Sequence, residues 1–447
     1  MADSSGKEPS FRDLPSVNDL ASLGGLGWFP TTVRMAAARS AIASARLTLS
    51  KGEPIPNLVT LAISFARGQT DISLQPVING TGVVLHTGLG RARLADSVAA
   101  HIQSVAAGYS ALELDLESGE RGDRQSHVRD ILLFILGGED AFVVNNAAGA
   151  LYLALAALTP GLEVVLSRGQ MVEIGGSFRL PEIVTTSGAR LVEVGCTNKT
   201  HLDDYRHVLG PETAAILRCH PSNFRIVGFT SEPSLADLSH LAREKGCLLI
   251  DDHGAGGLLD LRTIGLTDSS SFVASVAHAD LAIASGDKLF GGPQAGIIVG
   301  KRALIDQIRR HPLARGLRID KLCLAGLEST LRLWANGEED QIPTVRYLRK
   351  SLGVVREEAE RIASAWPFGV VEEGITEAGS GSAPGTGIPT YRAGFAAASL
   401  EELARTLRSG SPPIIGRIEK GRLWLDPRTM EQEEVEVVIR RLKEITP

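Results

Sequence analysis

A chain of 447 residues is too long for one ordinary core, so two or three domains are expected. With 43% hydrophobic and 22% charged residues it has the make-up of a globular enzyme, which excludes a disordered or fibrous protein. No apolar run approaches the ~20 residues of a membrane span, and a net charge of −6 argues against a surface that binds nucleic acid throughout while leaving room for a local basic patch.

The segment from Met1 to Arg12 is polar and lacks the apolar stretch of a signal peptide. Cys196, Cys219, Cys247 and Cys323 form no CxxC pair, so no metal site and no disulfide framework is expected, and a reducing cytoplasm is the expected compartment. The spacing predicts a helix over 31–49, capped by Thr31 or Thr32, with Met35, Ala38, Ile42, Ala45 and Leu49 on one face. A second, short helix is predicted over 57–67. From Thr31 to Thr70, five basic residues (Arg34, Arg39, Arg46, Lys51 and Arg67) stand against one acid, Glu53. A solvated helix face accounts for such charges; a grip on nucleic-acid phosphates is the functional alternative. Residues 1–75 are therefore expected as a small helical domain.

From Pro76 short apolar runs alternate with helical stretches. Strands are predicted at 77–78, 141–144, 163–166, 215–217, 247–250, 281–283 and 296–299, with helices over 123–136 and 235–245 between them. This repetition predicts an α/β fold with a mainly parallel sheet covered on both faces and ending near residue 300. Helices over 304–309 and 322–334 lead away. A catalytic domain is expected over 76–335, and a smaller α+β domain over 336–447. The latter should hold a long helix from about Tyr347, then strands, then a helix over 431–443. The Gly/Ser-rich stretch 379–387 between them reads as a linker or as a loop at the mouth of a site.

Ligands of open parallel sheets sit at the carboxyl ends of strands, and four candidates end strands here. Asn145, Asn146, Ala147 and Ala148 lead into a helix whose amides can approach a phosphate. Asp251 and Asp252 end a buried strand, where a carboxylate can pair with a protonated ring nitrogen. His220 and Asn223 follow a third strand. Lys288, in Ser285-Gly286-Asp287-Lys288-Leu289-Phe290-Gly291-Gly292, follows the fourth, with Ser285 placed to donate to a phosphate. A lysine beside a buried strand loses its proton readily and serves as a Schiff-base nucleophile. Each pattern also occurs in ordinary turns and caps; their combination suggests a pyridoxal-phosphate (PLP) enzyme. Arg315 and Arg318 follow the lysine turn and would share a face on a helix, and Arg91 follows a glycine turn. Guanidinium groups match oxyanions in a bidentate manner.

Beyond single motifs, the chain resembles bacterial selenocysteine synthases, the L-seryl-tRNA(Sec) selenium transferases. The likeness runs from Leu14-Pro15-Ser16-Val17 through Asn79-Gly80-Thr81-Gly82, His86-Thr87-Gly88-Leu89-Gly90-Arg91, Arg121-Gly122-Asp123-Arg124-Gln125-Ser126-His127, Gly175-Gly176-Ser177-Phe178-Arg179 and Ser222-Asn223-Phe224-Arg225. It continues through the Lys288 segment to Leu425-Asp426-Pro427-Arg428-Thr429. The resemblance implies a PLP fold of the aspartate-aminotransferase type and PLP as cofactor. It implies that Lys288 is the Schiff-base lysine and Asp252 the strand-end aspartate, and that Arg91, Arg315 and Arg318 bind selenophosphate. It further implies an N-terminal tRNA grip, to which Arg34, Arg39 and Arg46 would contribute, and a ring-shaped homo-oligomer, a decamer, with sites between subunits. The implied reaction is β-elimination of the serine hydroxyl of seryl-tRNA(Sec), then addition of selenium. Rival readings are a PLP lyase acting on a free amino acid or amino sugar phosphate, and a non-catalytic tRNA binder. The chain departs from the family pattern at Ala147 (usually asparagine), at Asp252-His253-Gly254-Ala255-Gly256, at Ala111-Leu112-Glu113-Leu114-Asp115 and at Cys196-Thr197-Asn198-Lys199-Thr200. These departures are expected to line the cofactor region and to allow an altered substrate.

Overall fold

The computed structural model describes residues 11–175, 178–221, 223–259, 261–264, 271–383 and 387–446. Gly176, Ser177 and Ser222 of the motifs above, and 384–386 of the Gly/Ser-rich stretch, lie outside the described residues. The chain divides after Pro76 into two compact units.

The first unit is helical. Helices Val17–Ser22, Thr31–Ser50 and Leu58–Thr70 bury a core of small and aliphatic side chains, Leu20, Leu26, Ala38, Ala41, Ile42, Ala62 and Ala66 among them. Ser16 and Asn57 start two of the helices by accepting from Asp19 N at 3.1 Å and Thr60 N at 3.0 Å. The middle helix starts differently from expectation. Pro30 occupies its cap position without a side-chain bond, and Thr31 and Thr32 already lie inside the helix. Proline's fixed φ suits a helix entry, so no hydroxyl cap is required.

The second unit is built on a seven-stranded sheet. Its strands are β1 (Asp140–Val144), β2 (Glu163–Ser167), β3 (Arg190–Val194), β4 (Thr213–Cys219), β5 (Leu248–Gly254), β6 (Leu281–Ser285) and β7 (Gly296–Gly300). They lie in the order β1-β7-β6-β5-β4-β2-β3, parallel except for β7, which runs against both neighbours. Alternate residues divide between two cores. Phe142, Val144, Ile283 and Ile298 pack on one face with the helix Ala147–Leu158. Ala141, Val143, Ala282, Ala284, Ile297 and Val299 pack on the other with helices Ser126–Leu136 and Lys321–Ala335. Burial on both faces explains why these strands read as continuous apolar runs. The edge strand β3 was not expected. It is partly exposed, so its sequence, Arg190-Leu191-Val192-Glu193-Val194, carries no such run.

The register places the carboxyl ends of β1, β2, β4, β5 and β6 along one edge of the sheet. Because β7 is reversed, its first residue, Gly296, lies opposite both Val144 and Ser285.

Beyond the sheet, the long helix expected from about Tyr347 is two helices, Pro343–Arg349 and Leu352–Ala363. Ser351 interrupts them because its hydroxyl caps the second. A four-stranded antiparallel sheet follows, in the order Val370–Thr376, Ile388–Phe395, Arg422–Leu425, Arg417–Glu419. The helix Gln432–Ile445 ends the fold. The short strand Ile78–Asn79 pairs with Ile414–Ile415, joining the start of this unit to its end.

Candidate active site

Lys288 follows β6 in a turn that only glycine permits. Gly291 has φ +72, and a Cβ there would stand 2.2 Å from Ile342 Cγ2. Gly291 N donates to Lys288 O at 2.9 Å, and Gly292 N to Gly286 O at 2.9 Å. Across the sheet edge, β5 presents its two aspartates to opposite faces, as successive strand residues must. Asp251 is fully buried and accepts from Arg218 Nη1, its register partner on β4, at 2.8 Å. Asp252 turns the other way, toward Lys288. A Cβ on Gly254 would stand 4.0 Å from both Asp252 Oδ1 and Lys288 Nζ, so the two groups converge over a residue that has no side chain.

The two groups tune each other. Burial lowers the Lys288 amine below the ordinary lysine value; Asp252 opposes the shift, and Arg91 adds to it. Burial raises Asp252 to about 7, with Lys288 working against the rise and Asp251 adding to it. For both groups burial outweighs the attraction of the pair.

Lys288, Arg91 and Asn223 line one cavity of about 610 Å³, together with Thr87, Phe224, Arg225, Glu377 and residues 379–383. The described part of the Gly/Ser-rich stretch is thus a wall of this cavity. Ser380 Oγ ties it to Leu85 O at 2.7 Å. Arg91, at φ +64, is held by Asp287 Oδ2 at 2.7 Å. Ser285 is buried and donates to Asp287 Oδ1 at 2.6 Å, so its hydroxyl is engaged within the protein. Asp287 therefore couples Ser285 to Arg91 from the position next to Lys288, a role not anticipated from the sequence. Asn223 donates to Glu173 O at 2.6 Å. His220 and His253 stack with ring centroids 5.8 Å apart.

Asn146 caps the helix Ala147–Leu158 by accepting from Gly149 N at 2.8 Å, and its amide donates to Asn145 Oδ1 at 3.0 Å. Ala147 and Ala148 form the first turn, where amides lack intrahelical partners.

Arg315 and Arg318 do not share a helical face. The short helix Leu313–Gly316 ends between them, and Arg318 pairs instead with Val144 in an isolated bridge. Both are exposed and neither lines the Lys288 cavity; Arg318 Nη1 lies 3.5 Å from Glu113 Oε1, which also accepts from Arg124 Nε at 2.9 Å. Nor do Thr197, Asn198, Lys199 and Thr200 line it; they belong to a neighbouring cavity. In the first unit, Arg39 and Arg46 are exposed, while Arg34 is half-buried with Nη2 3.3 Å from Thr31 Oγ1. Among the described residues, no cluster of histidine, cysteine and carboxylate side chains could hold a metal, and no helix is long and apolar enough to cross a membrane.

Known proteins match this architecture. A solved structure described as D-glucosaminate-6-phosphate ammonia-lyase superposes with a TM-score of 0.61, at 23% identity, over 88% of this chain and 98% of its own; it shows a common fold. The L-seryl-tRNA(Sec) selenium transferase of Alkaliphilus oremlandii is 39% identical over 97% of this chain and 98% of its own length. That of Geotalea daltonii is 40% identical over 98% and 99%. A family model described as L-seryl-tRNA selenium transferase matches residues 77–431. With most of its length matched both by the family and by such relatives, the chain belongs to the L-seryl-tRNA selenium transferase family.

Proposed function

We propose that this protein converts seryl-tRNA(Sec) to selenocysteinyl-tRNA(Sec) with PLP as cofactor and selenophosphate as donor, in the cytoplasm. The observation that carries the reading is the convergence of Lys288 and Asp252 over Gly254, at the sheet edge, in a chain of this family. The residues there fit PLP. A lysine amine drawn toward its neutral form can attach to the aldehyde. The Asp252 carboxyl, which burial raises to about 7, is completed by a protonated ring nitrogen. The helix start at Ala147 and Ala148, beside Asn145 and Asn146, suits the phosphate; Asn223, on the Lys288 cavity, suits the ring, as does His220, although it lines the neighbouring cavity.

When bound, PLP supplies an electron sink for negative charge at the substrate α-carbon. Lys288 Nζ takes the α-proton and returns one at the end of the cycle. Asp252 keeps the ring nitrogen protonated. Ser285 acts through Asp287, which fixes the orientation of Arg91. Arg91, Arg315 and Arg318 hold the anionic donor. The latter two lie outside the Lys288 cavity of their own chain, in keeping with a ring-shaped homo-oligomer, a decamer, whose sites lie between subunits. The helical unit grips the tRNA, and the carboxylate of the substrate is esterified, so no arginine is required for it.

The direct test is conversion of seryl-tRNA(Sec) with selenophosphate, followed as selenium bound to tRNA; no transfer by the PLP-loaded protein overturns the reading. In the same assay Arg315→Ala and Arg318→Ala should each weaken donor use roughly tenfold or more, the worth of one charge-assisted hydrogen bond. Loss of the serine hydroxyl should fall less. Equal losses in both steps would assign these arginines to folding or to tRNA.

Replacing Arg34, Arg39 and Arg46 together by alanine should weaken seryl-tRNA binding and flatten its dependence on salt, because fewer counterions are released. The visible absorbance of bound PLP should not change. Normal tRNA affinity in this variant would leave the helical unit without a role as a grip.

A further inference from the structure

A second cavity, of about 450 Å³, adjoins the first at the ends of β2 and β4. Phe224 and Arg225 line both cavities, so the two lie side by side. The lining of the second cavity carries Lys199, Arg218 and Arg225 and one carboxylate, Glu232. Glu232 is already engaged by the amide of Gln170. Arg218 is engaged on both sides, by Asp251 at Nη1 at 2.8 Å and by Glu232 Oε1 3.9 Å from Nε. Lys199 is exposed and has no ion pair among the described residues. The wall that carries Lys199 is preformed. Thr200 N donates to Ser231 O at 2.9 Å, Ser231 N to Asn198 O at 3.1 Å, and Asn198 Nδ2 to Phe229 O at 2.6 Å.

We infer that this second cavity receives the 3′-terminal nucleotide of the aminoacyl-tRNA. The inference rests on the seryl-tRNA reading above. In an aminoacyl ester only the carbonyl carbon and the ester oxygen separate the α-carbon from the terminal ribose. A serine placed at Lys288 therefore requires its nucleotide in the adjoining space. The cavity offers what a nucleotide needs: the Lys199 ammonium for a phosphate, polar groups from Asn198, Thr230 and Ser231, and the ring of Phe224 at the shared wall. Its volume falls within the ~300–1,000 Å³ of small-molecule sites. A free amino acid would leave these groups without a task. The segment Thr197-Asn198-Lys199-Thr200 thereby acquires a role in holding the tRNA end.

The full-length holoenzyme is titrated with AMP, with inorganic phosphate as the comparison probe, in the natural chain and in Lys199→Ala. AMP is also tested as an inhibitor of seryl-tRNA conversion. The expected result is that AMP binds and competes with seryl-tRNA. Lys199→Ala should weaken AMP binding and raise the KM for seryl-tRNA roughly tenfold each, the loss expected for one charge-assisted contact, with the absorbance of bound PLP unchanged. AMP binding that is indifferent to Lys199→Ala overturns the inference. So does displacement of AMP by an equal concentration of inorganic phosphate, which would mark a simple anion site. A holoenzyme that converts seryl-tRNA but does not bind AMP refutes the nucleotide site and leaves the reaction standing. One that binds AMP through Lys199 but does not convert seryl-tRNA refutes the reaction and retains the site.

Discussion

Replacing Lys288 with alanine is expected to lower conversion of seryl-tRNA by roughly 10³-fold or more, since both the attachment of the cofactor and proton transfer at the α-carbon depend on this one amine. Lys288→Arg should do no better, because a guanidinium stays protonated where the buried lysine amine is drawn toward neutrality. Borohydride treatment of the natural holoenzyme, followed by peptide mapping, should find the reduced cofactor on Lys288. Recovery on Lys301 or Lys321 would assign the attachment elsewhere, and both are present as internal controls. Lys301 is tied to Asp280 at 2.5 Å and Lys321 to Val105 O at 3.2 Å.

The paired aspartates of β5 should give opposite phenotypes. Asp251→Ala leaves Arg218 buried beside an empty position, and breaking a buried ion pair from one side costs about 3–5 kcal/mol. A lowered unfolding midpoint in denaturant would register that loss, with activity per folded molecule largely kept. Asp252→Asn removes the charge facing Lys288 and should lower activity roughly ten- to a hundredfold, the worth of a charge-assisted hydrogen bond, while folding remains secure. An inactive Asp251→Ala that unfolds normally would reverse the assignment.

Asp252 adds a dependence on pH in the cofactor-free protein. Its folded-state pKa, about 7, lies above the ordinary carboxyl value of ~3.9. Between those limits the folded chain retains a proton that the unfolded chain has released, so the contribution of Asp252 to stability is greatest at the acid end and is lost as pH rises through 7. Asp252→Asn should remove this slope; a slope that persists in the variant would have another source.

Much of this was legible in the sequence because the sheet is buried on both faces. β1, β2 and β4 to β7 each carry an uninterrupted apolar stretch, and each was anticipated. The edge strand β3 was not, since a strand that keeps Arg190 and Glu193 in water has no such stretch. At the site, Lys288 and Asp252 were visible as charged residues at the ends of apolar strands. The sequence left Asp251 as an alternative to Asp252; the register gives Asp251 to Arg218, a partner no spacing in the sequence indicates. Asp287 was missed because its importance comes from Arg91, 196 positions away along the chain. The expected shared face of Arg315 and Arg318 fails at Gly316, where the helix stops. The segment from Thr197 to Thr200 was expected beside the cofactor and instead lines the second cavity, a distinction that no spacing in the sequence conveys.

The pairing of Ile78–Asn79 with Ile414–Ile415 bears on how the protein matures. Part of the segment that leads to Arg91 is anchored by late residues: Gly80 N donates to Ile415 O, Leu85 N to Ala378 O, and Thr429 Oγ1 to Asn79 O, while Arg91 itself is held by Asp287. On the ribosome, where early domains fold first, the seven-stranded sheet can form while this segment still waits for its partners. The start of this segment, Ile78 to Gly80, should therefore take its place only after nearly the entire chain has emerged. A translation product that stops short of residue 414 would keep Lys288, Asp252 and the Arg91–Asp287 pair yet leave the root of the arm at Ile78–Asn79 unpaired, so premature termination should yield a protein whose site residues are all present on a loosely rooted arm.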